Sequence, residues 1–174
     1  NEQLDARVRE RTEEVERIHI ELGDELETLR KILATQDEIS AGLSDLDMQM
    51  NLLVRRSQEL TKADGAALEQ LEGRVLVYRV TSGMAANQVG LRLGRTSSLS
   101  GECLRNGETL ICDDVESDPR VDLAACQRVG ARSMLVVPLR AKGEGPKGVL
   151  KVFSQRPGAF GSREERTLQL IGAL

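Results

Sequence analysis

Asp113 and Asp114 stand side by side where a short apolar run, "TLIC", stops within "GETLICDDVESDPRVDL" (residues 107–123). Paired carboxylates at a strand end can act as general acid and base, as metal ligands, or as a solvated loop. Acid–base work needs a partner base or nucleophile, and the single histidine, His19, is remote in sequence. A calcium loop spaces its oxygens regularly around a glycine turn, where this stretch carries Pro119. Asp113 and Asp118 therefore read as residues that cap turns and start the next helix.

Cys103, Cys112 and Cys126 are the other reactive candidates. They are odd in number and lack metal-ligand spacing, so they read as reduced thiols in a cytoplasmic protein. A buried cysteine is more often a small apolar filler than a nucleophile. Tyr78, the only tyrosine, can offer both a ring and a hydroxyl. Arg132 and Lys151 are the nearest basic residues and read as a solvated strand face.

Composition narrows the function class. Aromatics make up 2% of the 174 residues and there is no Trp, so stacking platforms for single-stranded nucleic acid are lacking. Residues 1–33 hold ten acidic against six basic side chains, and the remainder holds eighteen of each. Without a basic stripe, nucleic acid is not an expected partner. No apolar run approaches the ~18 residues of a membrane span, and no signal peptide is visible. Both ends fall inside charged helical patterns, which is the expectation for a piece of a longer protein.

The elements that must position these residues follow from periodicity. Residues 2 to about 41 carry an apolar stripe of Leu4, Val8, Val15, Ile18, Leu22, Leu26, Leu29 and Leu33. Its spacing slips near Leu26, Gly23 costs roughly 1 kcal/mol of helix, and Arg11 intrudes into the seam. The stripe predicts a parallel two-stranded coiled coil, against the alternative of an amphipathic helix lying on its own domain. A second helix is expected from a Ser44 cap to about Lys62. Thereafter the period becomes two. "AALEQLEG" and "RVLVYRVTSG" predict a hairpin turning at Glu72-Gly73. Residues 83–109 look irregular, with one short helix over Ser100–Asn106. "TLIC", "SMLVVPLRAKG" and "KGVLKVFSQRP" predict three more strands. "RVDLAACQRVG" predicts a helix ended by Gly130, and "GSREERTLQLIGAL" one capped by Ser162 with Glu165. The fold class is α+β, an antiparallel sheet of about five to six strands flanked by helices.

Residues 31–174 resemble the GAF domain of bacterial signalling proteins. The resemblance rests on "SLSGECLRNGETLICDDVESDPRVD", "ACQRVGARSMLVVPL" and "GVLKVFSQRPGAF" leading into "ERTLQLIGAL". Residues 1–33 look like the signalling helix that precedes such domains, leaving 34–174 as the sensory domain. The resemblance implies a sheet that floors a ligand pocket, roofed by residues 95–106 and 113–130. The candidate lining is then Tyr78, Leu99, Cys103, Ile111, Val121, Cys126 and Met134, with Asp113 at the rim. Such a pocket is expected to be largely apolar, suited to a small neutral or zwitterionic ligand, or to none.

Departures from the family's specialised branches limit the cofactor. Gln127, not histidine, follows Cys126, against a covalent bilin. No histidine lies in the domain to ligate haem, and the Asn-Lys-Phe-Asp-Glu signature of cyclic-nucleotide binders is absent. No cofactor is expected. Cys126 falls within about one position of the catalytic cysteine of free methionine-R-sulfoxide reductases, but the partner positions near Ser100 and Gly101 are not cysteine. The expectation is a non-enzymatic cytoplasmic sensor that acts as a homodimer on an output domain such as a histidine kinase or diguanylate cyclase. The rivals are a thiol-dependent sulfoxide reductase and a ligand-free dimerisation spacer.

Overall fold

In a computed structural model, which describes residues 2–41, 45–140 and 145–174, helix α1 runs from Glu2 to Ser40 and α2 from Leu46 to Leu60. The strands are β1 (Gly65–Glu72), β2 (Val75–Gly83), β3 (Arg92–Gly94), β4 (Leu110–Cys112), β5 (Ser133–Leu139) and β6 (Gly148–Ser154). Between them lie α3 (Leu99–Asn106) and α4 (Leu123–Val129), and α5 (Ser162–Gly172) follows β6. The strands form one sheet in the order β3-β2-β1-β6-β5-β4, antiparallel at every pairing. The α+β architecture is as the periodicity predicts. The exception is β3, which three residues in a glycine-rich stretch are too few to announce.

Both faces of the sheet are covered, so β6 is buried along its whole length. One face packs against α2, α5 and the end of α1, through Val54, Leu135, Leu150, Leu168, Ile171 and Ile32. The other meets α3 and α4 through residues such as Leu76, Leu99, Val136 and Phe153. Burial on two faces explains why β5 and β6 read as near-continuous apolar runs.

Local chemistry sets the boundaries, with some corrections. Ser44 lies outside the described residues, and Asp45 caps α2 by accepting from the Asp47 N–H at 3.0 Å. The cap of α5 is Gly161, one residue before the expected Ser162, because Glu164 rather than Glu165 reaches back to the Gly161 N–H at 2.9 Å. The hairpin turns at Gly73, which sits at φ 62° and so suits a residue without Cβ.

The long helix divides its stripe. Val8, Val15, Ile18, Leu22, Leu26, Leu29 and Leu33 are 42–59% exposed. Ile32 and Thr35, on another face, are buried against the domain. Arg163 and Arg166 of α5 approach Asp24 and Glu25 at 4.0 Å. The end of α1 therefore lies on its own domain, with Leu29 beside Ile32 in the groove against α5, while the stripe from Val8 to Leu26 stays exposed.

Candidate functional site

A cavity lies between the sheet and the segment holding α3 and α4. Tyr78, Leu99, Val121, Cys126 and Met134 line it, five of the eight predicted residues. Leu93, Ser98, Asp122, Ala125, Val129, Lys151 and Phe153 complete the lining. The free volume is ≈ 10 Å³, about the room one water needs.

Three predicted residues stand elsewhere. Cys103 is buried in the same core without reaching the cavity, its thiol 3.8 Å from the Val136 carbonyl. Ile111 packs on the opposite face with the α2–α5 layer. Successive strand residues point to opposite faces, and Cys112 occupies the cavity side, so Ile111 cannot share it. Asp113 is exposed, and its backbone carbonyl accepts from the Gly158 N–H at 2.7 Å.

The acidic loop is a set of turns and clamps. Asp114, rather than Asp113, accepts from the Glu116 N–H at 3.1 Å and pairs with Arg132 at 3.0 Å. Asp118 accepts from the Arg120 N–H at 2.9 Å and pairs with its guanidinium at 2.6 Å, which also donates to the Ile111 carbonyl at 2.9 Å. The Arg120 guanidinium holds the Asp118 carboxyl below its ordinary range. Asp122, not Asp118, caps α4, accepting from the Ala125 N–H at 3.0 Å, and Gly130 ends the helix at φ 83°. The segment crossing the cavity mouth is thus pinned at its start by side-chain hydrogen bonds. Among the described residues no group of three or more His, Cys, Asp or Glu could hold a metal.

The polar floor is the feature the sequence reading missed. Lys151 is 3% exposed, which corrects the solvated strand face expected for it and the charge-poor pocket that went with it. Its Nζ donates to Glu69 Oε1 at 2.6 Å and to the Tyr78 hydroxyl at 3.4 Å. The same Glu69 oxygen accepts from Ser100 Oγ at 3.0 Å, so the floor is tied to α3. Burial opposes the Lys151 charge, but the Glu69 carboxylate and Tyr78 outweigh it and its pKa is raised. Desolvation drives the Tyr78 hydroxyl upward. The ammonium also lies 5.4 Å and 5.5 Å from the ring centroids of Tyr78 and Phe153, within cation–π range.

A β-bulge assembles this floor. The pairing of β1 with β2 shifts between Leu68 and Glu69, so Glu69 faces Tyr78 while Arg79 points to solvent. Bulges re-aim side chains in this way. Lys151 shares a face with Val149 and Phe153 by the two-residue period, which is the signal in the sequence that could have placed it inward.

The three thiols are all buried and free. Burial pushes Cys103 and Cys112 up to about 12 and Cys126 up to about 11. A thiolate, the nucleophilic form, is scarce under those conditions.

Residues 44–174 match the family model described as a GAF domain. The chain belongs to the GAF domain family. Solved structures of the same fold include the GAF domain of a phosphoenolpyruvate-protein phosphotransferase from Coxiella burnetii, at 23% identity and TM-score 0.72, covering 84% of this chain and 88% of that one. A putative GAF sensor protein from Burkholderia vietnamiensis matches at 17% identity and TM-score 0.73, over 86% and 90%. Free methionine-R-sulfoxide reductase from Neisseria meningitidis, solved with its substrate, matches at 21% identity and TM-score 0.67, over 82% and 83%. Among curated proteins no relative matched. A GAF domain is in general a regulatory, sensor-like module. Among the described residues no helix is long and apolar enough to cross a membrane.

Proposed function

We propose that this GAF domain is a cytoplasmic sensor that couples its cavity to a parallel homodimer of α1 helices. Those helices would in turn bias an output domain, such as a histidine kinase or diguanylate cyclase. The observation that supports the reading is a sheet shared by the cavity and the helical layer. The cavity sits on one face of the sheet, and the opposite face packs on the helical layer that holds Ile32 of α1. Beyond that anchor the stripe from Val8 to Leu29 is exposed. Leaving it wet forfeits roughly 25 cal/mol per Å² of apolar surface, and a second copy in register offers the same stripe. Analytical ultracentrifugation at micromolar concentration should give a dimer, weakened by Leu22→Asp and Leu29→Asp. A monomer for the unmodified chain would sink the dimer.

The small free volume of the cavity favours a second reading, in which the domain is a ligand-free dimerisation spacer. Native mass spectrometry of freshly purified protein separates the two, since a sensor should carry or accept a small molecule. The reductase reading has the fold of the Neisseria meningitidis protein behind it but no activated thiol to support it. Turnover of free methionine-R-sulfoxide, lost on Cys126→Ala, would restore it.

A further inference from the structure

We infer that two copies of this chain pair through α1 in parallel, each Glu14 facing the partner's His19, so that the dimer tightens on mild acidification. The inference rests on the reading of α1 as a dimer helix and adds what sets its register and regulates it. Val8, Val15 and Ile18 are exposed along one row of α1, and Arg11 stands in the same row. Val8 and Val15 take the a positions of a heptad, and Arg11 and Ile18 the d positions. Glu14 and Glu21 fall at g and His19 at e, on opposite flanks of the seam. After the spacing slips, Leu26 and Leu33 stand at a and Leu29 at d, which puts Glu25 on the g flank and Arg30 on the e flank. One flank is therefore acidic at Glu14, Glu21 and Glu25, and the other carries His19 and Arg30.

The flanks choose the orientation. In a parallel, in-register pair each g residue meets the e residue five places farther along the other chain. That joins Glu14 to the partner's His19 and Glu25 to the partner's Arg30. An antiparallel pair would set g against g, with acid facing acid, and like charges across an interface are costly. Glu25 meets Arg166 of α5 at 4.0 Å but stays 57% exposed, so it is open to a second cation. One group in the seam opposes the pairing. Arg11 would face the partner's Arg11, and Glu14, 3.3 Å away on the same helix, offsets that charge. His19 is exposed, and its neighbours one turn away are Val15, Glu16, Leu22 and Gly23. The charged groups facing it are thus Glu16 of its own helix and the partner's Glu14, both acidic. Histidine ordinarily titrates at about pH 6.5. A carboxylate neighbour favours the imidazolium, so the added attraction is fully present below the unpaired value and is lost as pH rises through the paired one.

Sedimentation equilibrium of the full chain at about pH 7.5 and about pH 5.5, on either side of the histidine range, is the test. Two exposed pairs of this kind should tighten the dimer about fivefold at the lower pH. His19→Gln and Glu14→Gln should each remove most of that gain, while His19→Lys should hold the tighter dimer at both pH values. Arg11→Leu should tighten it at both, since like charge leaves the seam. Val15→Cys and Leu29→Cys should each give a disulfide-linked dimer with copper phenanthroline, the three native thiols being buried. Antiparallel helices bring at most one of those two positions against its own counterpart. A dimer that ignores pH, a gain that survives His19→Gln or Glu14→Gln, or failure of either cross-link overturns the inference and leaves the dimer itself standing. A monomer at both pH values removes the dimer reading with it.

Discussion

Lys151 Nζ lies 2.6 Å from Glu69 Oε1, with the two side chains 4% and 0% exposed. A buried pair of this kind adds little over an apolar substitute, because desolvation offsets the attraction, but breaking it strands a charge. Lys151→Met should therefore lower the unfolding free energy by about 3–5 kcal/mol. The double variant Glu69→Gln/Lys151→Met should cost less than the sum of the single changes. Urea denaturation of the four proteins checks this, and an undiminished midpoint for Lys151→Met would contradict it.

Asp64 joins the start of β1 to the end of β6. Its carboxylate accepts from the Gln155 N–H at 2.8 Å and the Ser154 hydroxyl at 2.9 Å, and these bonds lower its pKa from the ordinary 3.8. A depressed folded value means the stabilisation is fully present above the unfolded pKa and is lost as pH falls through the folded one. Stability should thus decline below about pH 4, and Asp64→Asn should flatten part of that decline. Unfolding free energies across the acid range supply the measurement. An equal slope in the variant would rule out Asp64 as a contributor.

The thiols should behave as packing groups. With Cys126 pushed up to about 11 and Cys103 and Cys112 to about 12, each stays protonated at neutral pH. All three should resist Ellman's reagent in the folded protein and react promptly in denaturant. Rapid native labelling of one thiol would mark it as activated. Replacing each with Ala should cost a few kcal/mol at most and leave the fold intact.

Two helical glycines should respond with opposite sign. A Cβ on Gly101 would fall 2.0 Å from the Arg95 carbonyl oxygen, whereas nothing lies within 4 Å of one on Gly23. Gly101→Ala should therefore destabilise by about 1–3 kcal/mol through overpacking. Gly23→Ala should raise the helicity of α1, since alanine favours a helix interior by about 1 kcal/mol. Thermal melts and far-ultraviolet circular dichroism distinguish them, and matching responses would refute the packing argument at Gly101.

Much of this protein was legible without its tertiary structure. Strand-like runs announce β1 and β2, near-continuous apolar runs announce β5 and β6, and the Gly130 stop marks the end of α4, because these signals are local in the chain. The structure also brings Tyr78, Leu99, Val121, Cys126 and Met134 together around one cavity. Ile111 was misplaced because Cys112, its neighbour on a three-residue strand, is the one that faces the cavity side. So short a strand has too few alternations to declare its inner face.

The polar floor was decided only in three dimensions. A lysine on a strand ordinarily turns to water, since burying its charge costs more than a local sequence can return. Lys151 is buried because a bulge across the hairpin sets Glu69 opposite Tyr78, and β6, distant in the chain, pairs with β1 and brings the Lys151 ammonium within reach of both side chains. α1 divides along the same line. Its composition establishes an apolar stripe, but which residues are buried against the domain, Ile32 and Thr35 rather than Leu33, depends on the surfaces that α2 and α5 present. Periodicity reports what one element can bury, and packing between distant elements determines what it does bury.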